Sequence, residues 1–247
     1  MLKFGLAPQQ GTGVAAVRIL SAGAAQAVVE RIATAYTSET GNGVKAEFGA
    51  VGEMKARVLS GEPVDVIVLS RALVEELIAS EHAAPGSRRD LGAVATGVAV
   101  RAGTPPPDVS EARTLRANLL AATCVVCPDP AIATAGKAVI RLLGKLGIME
   151  KVQPRLRYFP NGNAAMRWLA ESRGALEMGI TQATEILPNP GVSYVGPLPG
   201  DLSVRTVYAA CLAARSQNPD GAVDFIARLT AASARTILAR AGYEFDD

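Results

Sequence analysis

Apolar runs and longer amphipathic segments alternate along this chain. Residues 17–20 read as a short strand, Ser21 as the N-cap of the next element, and 22–36 as a helix that stops before Gly41-Asn42-Gly43. The stretch 44–70, VKAEFGAVGEMKARVLSGEPVDVIVLS, repeats the unit as strand, small-residue turn, helix, tight turn and strand. Its second strand, 64–69, is apolar apart from Asp65, the pattern of a strand covered on both faces in a parallel sheet. A helix at 71–80 and a strand at 97–101 follow, ending at the boundary-marking run Gly103-Thr104-Pro105-Pro106-Pro107.

A second series then begins. Strands at 124–127, 156–159 and 177–180 alternate with helices at 134–146 and 163–171. Residues 191–199 read as a loop or edge segment, 204–212 as a strand, and 220–229 and 232–241 as two closing helices. The alternation predicts an α/β fold with a parallel or mixed sheet and helices on its faces. Two such series facing each other enclose a cleft, and ligands of open α/β sheets gather outside the carboxyl ends of the strands.

Composition narrows the function classes. The chain has 247 residues, enough for one large domain or two lobes, and is 49% hydrophobic and 19% charged. A net charge of +2, from 25 basic and 23 acidic residues, gives no field for nucleic acid, and Arg88-Arg89 is too short to form a patch. No apolar stretch reaches the roughly 18 residues of a membrane span. The segment 1–16, MLKFGLAPQQGTGVAA, lacks the continuous apolar core of a secretory signal. Two compartments therefore stay open: the periplasm, with a signal removed or mis-started, or the cytoplasm. Cys124-Val125-Val126-Cys127 lies in a strand pattern, which turns the two thiols to opposite faces and favours small buried hydrophobes over redox chemistry. His82 is the only histidine, and there is no phosphate loop, so no metal or cofactor is expected. Gly11-Thr12-Gly13 precedes a strand and is no dinucleotide fingerprint.

The candidate chemistry lies at strand-to-helix turns. A helix start carries unpaired N–H groups and the positive end of the macrodipole, so it holds an anion without a charged side chain. The candidates are Ser21 and Ala22; Ala50, Val51 and Gly52; Ser70 and Arg71; Thr134 and Ala135; Asn161 and Asn163; and Thr181 and Gln182. Ordinary capping is the competing reading for most of these, with Asn163 a normal N-cap. Arg71 could clamp a carboxylate or simply sit solvated at a helix start.

Ser21-Ala22-Gly23-Ala24, the run GAVGEMKARVLSGEPVDVIVLS, the segment from Asp129-Pro130 to Gly136-Lys137 and the ending FIARLTAASARTILARAGYE together resemble the periplasmic molybdate-binding protein family. These are solute receptors of ABC importers with the type II periplasmic-binding-protein fold. The resemblance implies two lobes joined by crossing strands near 97–101 and 205–212, with lobe one at 17–96 plus 206–247 and lobe two at 97–205. It further implies hinge closure on a small anion, no cofactor, a monomeric chain, and importer membrane subunits as partners. The chain keeps Ser21 at the first helix start but has Ala50 and Val51 where the family presents a serine, followed by Glu53. That departure points away from molybdate.

The leading reading is therefore a non-enzymatic receptor for a small oxyanion or carboxylate. The rival is an enzyme resembling aconitate isomerase, on the same scaffold, with Glu53 as general acid/base and Arg71 as a carboxylate clamp. A cytoplasmic ligand sensor would need a DNA-binding segment, and none is visible.

Overall fold

The computed structural model describes residues 16–245. The segment read above for a leader, including Gly11-Thr12-Gly13, lies outside the described residues except for Ala16. In chain order the elements are β1 (Val17–Ala22), a 3-10 turn (Gly23–Ala25), α1 (Gln26–Thr40), β2 (Val44–Gly49), α2 (Val51–Leu59), β3 (Val66–Ser70), α3 (Arg71–Ala79) and β4 (Arg89–Arg101). Then come α4 (Ala112–Ala121), β5 (Cys124–Pro128), α5 (Thr134–Lys145), α6 (Met149–Val152), β6 (Leu156–Phe159), α7 (Gly162–Glu171), β7 (Glu177–Gln182) and α8 (Ala183–Ile186). β8 (Val192–Pro197), β9 (Arg205–Leu212), α9 (Pro219–Leu229), α10 (Arg235–Ala241) and β10 (Tyr243–Glu244) complete the chain.

The sheet runs β2-β1-β3-β9-β4-β7-β5-β6, with β8 and β10 also pairing with β4. β1, β2 and β3 are mutually parallel, as are β5, β6 and β7, whereas β9 and β4 run against their neighbours. β4 is the element that joins the two halves. Its residues up to Ala95 pair with β9, and from Thr96 onward they pair with β7, then β8 from Gly97. The second passage is at Val204, whose carbonyl accepts from the Thr96 N–H at 2.8 Å. The buried apolar side chains divide the same way. One cluster gathers Ile67, Leu69, Met54, Tyr36 and Phe225, and the others gather Val98, Leu115, Val125, Leu143 and Ile180, or Met166, Leu169 and Ile186. The two-lobed α/β fold is thus present.

Several local expectations need correction. The first strand continues through Ser21 to Ala22, and the small residues after it form a 3-10 turn before α1 begins at Gln26. Ser21 is therefore no cap. α1 also runs past Tyr36 to Thr40 and stops at Gly41, whose φ of 73° is left-handed. The strand expected at 97–101 begins at Arg89, because a bulge near Gly92, at φ 137°, breaks the alternation in its first half. α4 was not anticipated, although Glu111 and Thr114 form a capping box at its start. Cys124 and Cys127 are buried free thiols on different core clusters, and burial pushes the Cys127 thiol up to about 12.

Asp65, the polar residue inside an apolar run, ties distant parts of lobe one together. Its Oδ2 accepts from the Arg18 N–H at 2.9 Å and from Arg18 Nε at 3.2 Å. Its Oδ1 accepts from Ser216 Oγ at 2.8 Å and from the Gln217 and Asn218 N–H groups at 3.0 and 3.1 Å. Burial favours the neutral acid, but these donors outweigh it and hold the carboxyl below its ordinary value. A depressed folded value means that the stabilisation is complete above the unfolded value of about 3.9 and fades as pH falls through the folded one. Asp65→Asn, which sets an amide against these donors, is expected to cost about 3 kcal/mol at pH 7. It should also remove part of the acid sensitivity. Urea unfolding of both proteins at pH 7 and in acid checks this, and equal stability at pH 7 would refute it.

Candidate functional site

The carboxyl ends of the strands in both lobes meet at a small inner cavity of about 20 Å³. Lobe one contributes Ala22, Gly23 and Ala24 at the end of β1 and in the turn after it, and Gly49, Ala50 and Val51 where β2 passes into α2. Lobe two contributes Pro128 at the end of β5, Ala133, Thr134 and Ala135 at the start of α5, Asn161 and Gly162 at the start of α7, Gln182 at the end of β7 and Glu185 in α8. Tyr208 of β9 closes the floor. The space suffices for about one water molecule. At Val51 and Thr134 it meets a wider cleft of about 720 Å³, which also reaches Gly52, Ser70 and Arg71.

The lobes are drawn together by specific contacts. The Gly52 N–H donates to the Ile132 carbonyl at 2.9 Å, so one donor at the start of α2 is already engaged. A Cβ at Gly52 would lie 2.8 Å from that oxygen and 3.2 Å from Ile132 Cα. Glycine is therefore required here by the approach of the other lobe. On the opposite side, Asn163 Nδ2 donates to the Gly23 carbonyl at 3.1 Å and to Gln26 Oε1 at 3.2 Å. Asn163 was expected to cap its helix; the cap is Asn161, whose side chain accepts from the Ala164 N–H at 2.9 Å.

Glu185 is the residue the sequence reading missed. Its carboxylate is buried and accepts from the Gly162 N–H at 3.1 Å and from Thr181 Oγ1 at 2.5 Å. The Asn163 and Gln182 backbones also reach it. Together with Asn161 it answers the exposed N–H groups of α7 from within the chain. A Cβ at Gly162 would fall 2.0 Å from Glu185 Oε2, which explains the glycine. Burial pushes the Glu185 carboxyl up, against the pull of these donors. The one signal for it in sequence is that Glu185 is the sole charged residue between 178 and 200. Tyr208, also missed, is buried beside it, and its phenol is raised well above the ordinary value by burial and then by Glu185.

The expected residues thus separate. Ala22, Ala50, Val51, Thr134, Ala135, Asn161 and Gln182 line the inner cavity, whereas Gly52, Ser70 and Arg71 line the wider cleft. Ser21 is fully buried and donates to the Ala22 carbonyl at 3.1 Å, and Thr181 serves Glu185, so neither faces a ligand. Glu53 is exposed in the first turn of α2, folded toward Gly49 and outside both cavities. Arg71 pairs with Asp90 at 2.8 Å and keeps a buried Nε without a partner. Gln182 Nε2 donates to Thr206 Oγ1 at 3.2 Å, while its Oε1 is buried and unpaired. The N–H groups of Val51, Thr134 and Ala135 have no acceptor among the described residues. His82 is half-buried against Ser80, away from both cavities. Among the described residues no cluster of three His, Cys, Asp or Glu stands close enough to hold a metal ion, and no helix is long and apolar enough to cross a membrane.

Comparison with known proteins agrees with this architecture. An aconitate isomerase from Pseudomonas sp is 29% identical over 217 residues, covering 85% of this chain and 80% of that protein. The periplasmic molybdate-binding protein of Azotobacter vinelandii superposes with a TM-score of 0.78 at 23% identity, over 94% of this chain and all of that one. The sulfate-binding protein SubI from Mycobacterium tuberculosis H37Rv gives a TM-score of 0.74 at 16% identity, over 94% and 88% of the two chains. The family described as bacterial extracellular solute-binding protein matches residues 17–244, and this chain belongs to it.

Proposed function

We propose that this chain is a receptor that captures a small anion between its lobes and releases it when they part. The observation that carries the reading is the convergence of the α2 and α5 starts, from opposite lobes, on one small cavity where the Val51, Thr134 and Ala135 N–H groups lack acceptors among the described residues. The lobes move as 17–96 with 206–247, and 97–205, hinging where β4 changes partners and at the passage into β9. An inner cavity of about 20 Å³ admits its ligand only after the lobes separate. Closure then adds donors from both sides. Ala50 and Val51 supply no hydroxyl, so backbone groups and Thr134 carry the recognition, and carboxylates suit such a site better than molybdate does. The family setting supports the membrane subunits of an ABC importer as the partner that takes the ligand.

A second reading is favoured by one observation, the 29% identity to an aconitate isomerase. Proton transfer would then fall to Glu185 rather than Glu53, because Glu53 lies outside both cavities and Glu185 lines the inner one. Glu185 would have to give up a present donor to act as a base. Its engagement with α7 favours the receptor.

Two measurements test these readings. In a thermal-shift series over trans-aconitate, citrate, succinate, molybdate, tungstate and sulfate, carboxylates are expected to raise the melting temperature most. Saturation at one hundred times Kd gives about 2.7 kcal/mol, or roughly 5–11 °C for a chain of this size. No shift with any of them would remove the anion reading. Proton NMR of trans-aconitate in D₂O is expected to show neither exchange nor isomerisation; turnover that Glu185→Gln abolishes would replace the receptor with the enzyme.

Gly52→Ala separates closure from folding. Alanine favours the helix by up to about 0.5–1 kcal/mol, so the melting temperature without ligand should hold or rise. The added Cβ meets Ile132, so affinity for the stabilising anion should fall about tenfold and small-angle scattering with ligand should report a wider particle. Unchanged affinity would show that this approach of the lobes is not needed.

A further inference from the structure

The wider cleft carries charge that the capture of one small anion at its inner end does not use. Lys55, Arg71, Lys137, Arg141 and Arg205 line it, against the carboxylates Glu75 and Glu76. Both carboxylates are engaged, Glu75 with Arg88 and Glu76 with Lys55. Arg71 pairs with Asp90 at 2.8 Å, and Arg205 with Glu244. Lys137 and Arg141 differ, for neither meets a carboxylate among the described residues.

Their placement on α5 is unfavourable twice over. They stand four residues apart, on one face of the helix, where like charges repel. Lys137 also lies near the positive end of the α5 macrodipole, and no acidic residue occupies the first turn to offset it. A negative group seated in the cleft relieves both terms. At 1.5 Å per residue the two positions lie about 4.5 and 10.5 Å along the axis from Thr134, and helical side chains lean back toward the N-terminus. Both are exposed and line the wider cleft, on the helix whose start at Thr134 also borders the inner cavity.

We infer that Lys137 and Arg141 form a second anion subsite, so that the ligand of this chain carries two anionic groups, carboxylate or phosphate, on a short carbon frame. One group is received at the starts of α2 and α5, and the other is held by the α5 cations, with Arg141 able to take it bidentately. The inference rests on reading the cleft as an anion site.

Calorimetric titration of the whole chain and of a Lys137→Gln/Arg141→Gln double variant tests it, with glutarate and phosphoglycolate as two-headed probes and sulfate as a single-centre one. The wild-type chain should bind at least one two-headed probe more tightly than sulfate. The double variant should bind that probe about 100-fold more weakly while its sulfate affinity changes less than about threefold. Its melting temperature without ligand should hold or rise slightly, since a repulsive pair is gone. An unchanged two-headed affinity, or an equal loss for sulfate, overturns the subsite. If wild type binds sulfate but neither two-headed probe, the cleft reading stands and this inference fails. If it binds none of the three, the cleft reading fails and this inference with it.

Discussion

The first N–H groups of a helix have no partner within the helix, and where they are buried something else must accept from them. Three helices begin around the cleft, and each meets this demand differently. At α7 the chain supplies its own acceptors, the Glu185 carboxylate and the Asn161 side chain. At α2 the opposite lobe supplies one, the Ile132 carbonyl. At α5 the chain supplies none for Thr134 and Ala135 among the described residues. The site is thus defined less by which donors exist than by which are left over. This also explains the roles of Gly52 and Gly162, where any side chain would intrude on an acceptor.

The lobes approach closely through few polar contacts. Gly52 to Ile132 on one side, Asn163 to Gly23 and Gln26 on the other, and the buried Gln182 to Thr206 are individual hydrogen bonds. Each contributes on the order of 1 kcal/mol net, an amount a bound ligand can readily exceed. β4, in contrast, keeps ladder partners along its whole length, so separation of the lobes need not break the sheet within either half. A firm strand with weak latches beside it is a suitable arrangement for reversible closure.

Much of the fold was legible because its signals are local. The buried β3, the α5 and α9 amphipathic runs and the turn residues at Gly41 and Asn161 each follow from a few neighbouring positions. The first half of β4 was hidden by the bulge at Gly92 and by small alanines that give no alternation. The site was legible only in part for a related reason. Small residues at strand ends mark where a ligand can approach, so Ala22, Ala50, Val51, Thr134 and Ala135 stood out as candidates, and the structure brings them to one cavity. Glu185 could not be placed, since its importance comes from Gly162, 23 residues earlier, folding back upon it. Glu53 looked suitable by proximity in sequence, but its side chain folds toward Gly49 and lines neither cavity.

The knot at Asp65 has a consequence for how the molecule is made. Asp65 and Gln217 are 152 residues apart, and β3 finds its antiparallel neighbour only when β9 arrives. Lobe two, by contrast, draws its core from the continuous stretch between Val98 and Leu198. A chain emerging from its N-terminus can therefore assemble the later half first, while the earlier half waits with an incomplete sheet. The part of this protein that is synthesised first is the part that finishes folding last.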